Sequence, residues 1–151
     1  MTASPNAVGL HTPPSTVLVE RGRLRLFAKA IGESGPVYTD VEAAHQAGHR
    51  DLLVPPTFLF CLEMDRPDPF AFLKEVGIDL NNVLHGEQSF TYHAMSFAGD
   101  ELTFESHISD DRERKGRTLR FLTRRTRVTR ADEPIADLSN VIVVRQPEAG
   151  T

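Results

Sequence analysis

Apolar positions follow a helical period in the first half of the chain and a period of two in the second. Leu24, Phe27, Ala28 and Ile31 fall at i, i+3, i+4 and i+7, one face of a helix. The spacing predicts a helix near 19–31, with Arg21, Arg25 and Lys29 on another side and Gly32 closing it. Thr39-Asp40-Val41-Glu42 reads as a capping box. The Thr39 hydroxyl would accept from the Glu42 amide, and Glu42 would reach back. A short helix is expected from there to about Ala47, closed by Gly48. Phe58-Leu59-Phe60-Cys61-Leu62-Glu63-Met64 is apolar nearly all round, as in a helix buried on most sides. A buried strand has the same signature in so short a run. Pro67 and Pro69 break the segment, and Phe70 to Val76 adds a helical turn or two before Gly77.

After His85 the period changes. Phe90 and Tyr92 alternate with Thr91 and His93. Leu102, Phe104, Ser106 and Ile108 alternate with Thr103, Glu105 and His107, and Gly99-Asp100 marks a turn between the two runs. Residues 117–128 read as a third strand. Its apolar phase shifts between Phe121 and Leu122, which suggests a bulge. Residues 135–145, rich in Val and Ile, read as a fourth. Helices first and antiparallel strands second give an α+β fold, a curled antiparallel sheet with a buried helix, 57–64, on its concave face. Residues 1–15 read as an irregular tail, 16–145 as one domain and 146–151 as a second tail.

Composition narrows the function classes. The 151 residues suit one domain with a real core. A net charge of -4 gives no global attraction to nucleic acid or an anionic membrane. The one cysteine, Cys61, cannot staple its own chain or build a Cys-rich zinc site. No apolar run is long enough to span a bilayer, and Met1 to Gly9 does not read as a signal peptide. A soluble cytoplasmic protein is the default expectation.

Two segments carry a family resemblance. Residues 27–40 begin Phe27-Ala28-Lys29-Ala30-Ile31-Gly32-Glu33 and continue through Gly35-Pro36-Val37-Tyr38 to Asp40. They resemble the signature of the MaoC-like hot-dog dehydratase/hydratase family, in which a helix ends in Gly-Asp-x-Asn-Pro-x-His-x-Asp. Leu84-His85-Gly86-Glu87-Gln88-Ser89-Phe90, followed by Gly99-Asp100-Glu101-Leu102, is similar to the degenerate N-terminal half of two-domain members. It is also similar to the non-catalytic subunit of two-subunit 3-hydroxyacyl dehydratases. The resemblance covers roughly residues 17–145. It implies a hot-dog fold and the addition or removal of water at the double bond of an acyl thioester. The thioester would be carried on coenzyme A or acyl carrier protein, with no further cofactor. In active members the signature Asp and His activate the water. Glu33 and Tyr38 stand at those positions here, and Gly35 replaces the Asn. A tyrosine with an ordinary pKa near ~10 is a poor base at neutral pH. The resemblance therefore implies a substrate-binding subunit that meets a catalytic hot-dog partner carrying Asp and His. Alternatives are a self-sufficient homodimer with altered residues and an acyl-CoA-binding module without chemistry.

Each candidate has a plainer reading. Glu33 with Tyr38 is either a substituted acid/base pair or a loop that shapes the acyl tunnel. His85 and Glu87 lie two apart on a strand and could form a replacement dyad, or simply begin the strand. No catalytic residue is favoured among these four. Pro56, Thr57 and Phe58 open the buried helix, whose free amides hold the thioester carbonyl in the family. Without a ligand they make a rigid loop. Tyr38 and Phe60 are assigned to substrate binding. Phe58, Phe60, Met64, Phe70 and Phe72 could line an acyl channel, although core packing explains most of them. Arg112, Arg114, Lys115 and Arg117 could grip phosphates or an acidic carrier protein. Together with Arg120, Arg124, Arg125, Arg127 and Arg130 they could instead be a solvated hairpin face, and nucleic acid is not expected. His45 and His49 sit four apart, but no third ligand is evident and no metal is expected.

Overall fold

The computed structural model describes residues 5–146 apart from Lys115 and Arg117. A strand comes first, β1 (His11–Leu18), then helices α1 (Arg21–Ile31), α2 (Val41–Gln46), α3 (Phe58–Glu63) and α4 (Ala71–Glu75). Four strands follow: β2 (Val83–Tyr92), β3 (Glu101–Arg114), β4 (Leu119–Arg130) and β5 (Glu133–Arg145). All pairings are antiparallel, in the order β1-β3-β4-β5-β2. The expected α+β architecture is therefore present. The turn at Gly99-Asp100 joins β2 and β3, which are not neighbours in the sheet.

The buried helix is where the sequence placed it. Phe58, Leu59 and Leu62 of α3 pack with Leu102, Phe104, Val128, Ile135 and Leu138 from the sheet. Each such side chain contributes about 1.5–3 kcal/mol by leaving water. Ala7, Phe72, Leu73, Val76, Ile108, Leu122 and Ile142 make a second, separate cluster under α4. Among the described residues no helix is long and apolar enough to cross a membrane.

Several expectations are corrected. Residues 11–15 are not tail: they begin β1, paired with β3. Pro13 and Pro14 fall where the register shifts between Thr12 and Ser15, on a sheet edge, where a missing donor is tolerated. The cap of α2 is Asp40, not Thr39. Its carboxylate accepts from the Glu42 and Ala43 amides, while the Thr39 amide closes a 3-10 turn begun by Pro36. Leu24 and Ala28 bury the face of α1 as expected, but Ile31 is 54% exposed. The bulge expected at Phe121/Leu122 is absent. Inward and outward positions alternate evenly along β4. The apparent shift arises because Arg120, Arg124 and Thr126 point inward beside Leu122 and Val128.

Candidate functional site

The loop that follows α1 brings Tyr38 to the wall of an apolar cavity. Gly32 adopts a left-handed conformation (φ 72) and closes the helix onto Ala28 and Lys29. Glu33 then folds back, its Oε1 accepting from the Gly35 amide at 2.7 Å. Gly35 is crowded. A Cβ there would meet Glu33 Oε1 at 3.0 Å and the Tyr38 ring at 3.1 Å, so a side chain at this point would push both aside by a few tenths of an ångström. The 3-10 turn Pro36–Tyr38 presents Tyr38 to a cavity of about 420 Å3. Tyr38, Pro55, Pro56, Leu59, Tyr92 and His93 line it. Glu33 is exposed and not part of that lining. The Tyr92 hydroxyl donates to the Pro56 carbonyl, and burial pushes its pKa up to about 12, so it stays a neutral donor. His93 Nε2 lies 2.7 Å from Asp137 Oδ2.

The sequence candidates part company here. Tyr38 and Pro56 meet in this cavity, with Thr57 at the start of α3. Thr57 makes no side-chain cap, and the Phe58 amide is taken by the Pro55 carbonyl at 3.0 Å. Phe58 itself is core, 4.9 Å from the Phe27 ring and beneath Arg23. Phe72 is also core. Phe60, Met64 and Phe70 instead line a second cavity of about 290 Å3 with His85, Arg124 and Asn140. The replacement dyad weighed for His85 and Glu87 does not form. A register shift at Gly86 separates the two, and His85 pairs with Asn140 while its ring meets Phe60 edge-on at 5.2 Å.

The basic run is also divided. Arg120 and Arg124 are buried, Arg130 pairs with Asp100 and Glu133, and Arg112 pairs with Asp110. Arg114 is exposed, and Lys115 and Arg117 lie outside the described residues. His45 Nε2 meets the Arg50 carbonyl and His49 faces the Phe97 ring, so the two imidazoles do not converge.

Several polar residues escape sequence reasoning. Asp100, visible only as a turn residue, accepts from the Phe97 amide, Arg50 and Arg130. Glu63, the last residue of α3, accepts from Thr126 and lies 3.4 Å from Arg124. Arg120 grips Asp111 through two hydrogen bonds of 2.8 and 2.7 Å and also holds the Pro5 carbonyl. The only available signal was cations standing in the inward phase of β4, and that is the signal that resembled a bulge.

Known proteins share this fold. A model of the family described as FAS1-like, dehydratase domain region, matches residues 6–138. A UPF0336 protein of Saccharopolyspora erythraea is 36% identical over 140 residues, 91% of this chain and 88% of its own length. A chain of the C-terminally truncated HadBC (3R-hydroxyacyl-ACP dehydratase) complex of Mycobacterium tuberculosis superposes with a TM-score of 0.81 at 24% identity, covering 93% of this chain and 99% of that one. A chain of the ChsH1-ChsH2 complex of the same organism superposes at 0.75 and 22% identity, covering 93% and 92%. These two likenesses establish a shared fold.

Proposed function

The chain belongs to the family of FAS1-like dehydratase domain regions, and from that premise we propose that it is the substrate-binding subunit of an acyl-thioester dehydratase/hydratase. The reaction interconverts a (3R)-3-hydroxyacyl and a 2-enoyl thioester on coenzyme A or acyl carrier protein. One observation carries this reading: a cavity lies at the start of α3 with Tyr38 on its wall, the residue that the signature resemblance aligns with the base, while Glu33 Oε1 is turned onto the Gly35 amide. Of the two groups only Tyr38 lines the site; Glu33 is exposed and outside that lining. A partner hot-dog chain supplies the Asp/His pair across the sheet edge beside the cavity. HadBC and ChsH1-ChsH2 are two-chain complexes by name, which supports such an arrangement. Arg112 and Arg114 remain the contacts proposed for a phosphate or carrier protein, with Lys115 and Arg117.

The test is hydration of crotonyl-CoA, followed at the enoyl-thioester absorbance. The purified chain should bind acyl-CoA without turnover and become active on mixing with an Asp/His-bearing hot-dog chain. Turnover by this chain alone would remove the subunit reading. A second reading has one observation in its favour: His93, on the cavity wall, lies 2.7 Å from the exposed Asp137 carboxylate. A carboxylate that orients an imidazole is the arrangement of a general base. If the chain is active alone, His93→Gln should abolish turnover with the fold intact.

A further inference from the structure

Between the two apolar clusters of the core, the inner face of the sheet turns polar. Ser106 of β3, Arg124 and Thr126 of β4 and Asn140 of β5 all face inward and are buried. Arg124 and Asn140 are direct cross-strand partners, which sets their Cβ atoms roughly 5 Å apart. Glu63 closes the row from α3, accepting from Thr126 and balancing the charge of Arg124. Arg124 Nη2 donates to Ser106 Oγ at 2.9 Å, and the guanidinium stacks 5.1 Å from the Phe72 ring. Among the described residues, Arg124 Nε has no partner in the protein's own groups. Buried donors are nearly always satisfied, so an orphan needs an account.

That orphan belongs to a residue on the wall of the second cavity. Phe60, Met64, Phe70 and Ile142 make the cavity greasy, and Arg124, Asn140 and His85 are its polar members. Asn140 Nδ2 is committed twice, to His85 Nε2 and to the Glu87 carbonyl, each at 3.2 Å. Its Oδ1 is then left to accept. Adjacent positions on paired strands thus offer one donor, Arg124 Nε, and one acceptor, Asn140 Oδ1. A hydroxyl takes one hydrogen bond and gives one from a single atom. A carboxylate fits worse, because it would bring a second negative charge beside Glu63 in a site where Arg124 is already neutralised.

We propose that this cavity binds an aliphatic chain bearing a hydroxyl, which accepts from Arg124 Nε and donates to Asn140 Oδ1. Resting on the acyl-thioester reading, the inference narrows the substrate class to acyl chains hydroxylated beyond the reacting carbons. The aliphatic part occupies the Phe60, Met64 and Phe70 wall.

Calorimetric titration of decanoyl-CoA and its singly hydroxylated isomers along the distal half of the chain tests this. One isomer should bind the wild type about tenfold tighter than decanoyl-CoA. Arg124→Lys keeps a charge for Glu63 but has no Nε–H, and Asn140→Leu removes the acceptor. In both, the preference should vanish while decanoyl-CoA still binds. Equal affinity of all isomers for the wild type, or a preference that survives in both variants, overturns the proposal and leaves the acyl reading standing. Failure of every CoA thioester to bind sinks the acyl reading instead. The cavity is then decided by hexanol against hexyl methyl ether, followed at the Arg124 Nε–H resonance. A shift with the alcohol alone sustains the hydroxyl site, and no shift ends it.

Discussion

Asp100 ties together segments far apart in the chain. Its carboxylate accepts from the Phe97 amide at 2.9 Å, from Arg130 at 2.7 Å and from Arg50, with its side chain 2% exposed. Burial opposes the charged form. Hydrogen bonds from Arg50, the Phe97 amide and Arg130 outweigh it and hold the carboxyl below its ordinary pKa. A carboxyl depressed in the folded state gives its full stabilisation above the unfolded pKa of ~3.9 and loses it as pH falls through the folded value. Asp100→Asn should therefore cost about 1–3 kcal/mol at neutral pH. The urea midpoints of wild type and variant should draw together as the pH drops below ~4. A gap that stays constant into strong acid would mean that the charge contributes nothing. Glu63 and Arg124 behave differently, since both are nearly dry. Glu63→Leu strands the guanidinium and should cost about 3–5 kcal/mol. Glu63→Leu with Arg124→Met should recover most of that in chemical denaturation, because apolar replacement of a buried pair is often neutral. None of these roles was legible in the sequence. Asp100 looked like a turn residue, and Arg120 and Arg124 sat in a run whose many cations read as a wet face. Tyr38 and Glu33 were legible because the spacing of glycine and proline around them survives even where the chemistry has changed.

At the scale of elements, legibility followed the strength of the local pattern. The burial of α3 was plain, since no charged position interrupts Phe58 to Leu62, although the run alone did not separate a helix from a buried strand. Strand β1 was hidden, because Pro13-Pro14 is a breaker signal and only the pairing of Val17 with Leu102 on β3 reveals the strand. The bulge in β2 was missed for a related reason. Its cause is the fit of Gly86 against the neighbouring strand, which no local pattern records. A Cβ at Gly86 would lie 2.8 Å from Val143 Cγ2 and 3.0 Å from the Val141 carbonyl. The carbonyl cannot yield without straining the β2–β5 ladder. Gly86→Ala should cost about 1–3 kcal/mol, a fall of roughly 2–10 °C in melting temperature, and should loosen the His85–Asn140 contact. Gly22, in α1, is the opposite case, with nothing near its missing side chain. Gly22→Ala should stabilise by about 0.4–1 kcal/mol, mostly by restricting the unfolded chain. Calorimetry of the two alanine variants side by side checks both signs. A melting temperature unchanged by Gly86→Ala would mean that the bulge relaxes freely.

For the whole molecule the two sheet edges are unequal. β1 is short and interrupted by Pro13-Pro14, devices that blunt an edge. β2 runs for ten residues without proline, and among the described residues it pairs only with β5. Leu84, Tyr92 and the nearby Met95 are 44%, 45% and 59% exposed. An open ladder beside apolar side chains invites another strand. The same edge carries Tyr92 and then His93, which help wall the Tyr38 cavity, so a chain that covers β2 would also complete that site. On the proposed subunit reading, covering the edge and building the site are then one event. The consequence is measurable by sedimentation. The chain alone should self-associate through β2. Leu84→Lys with Thr91→Lys places two charges on the exposed strand, and this variant should be monomeric with an unchanged circular dichroism spectrum. It should also fail to pair with an Asp/His-bearing hot-dog chain, and so gain no hydratase activity from it. A variant that still assembles would move the interface away from β2, and the Tyr38 cavity would then have to work as a site open to water.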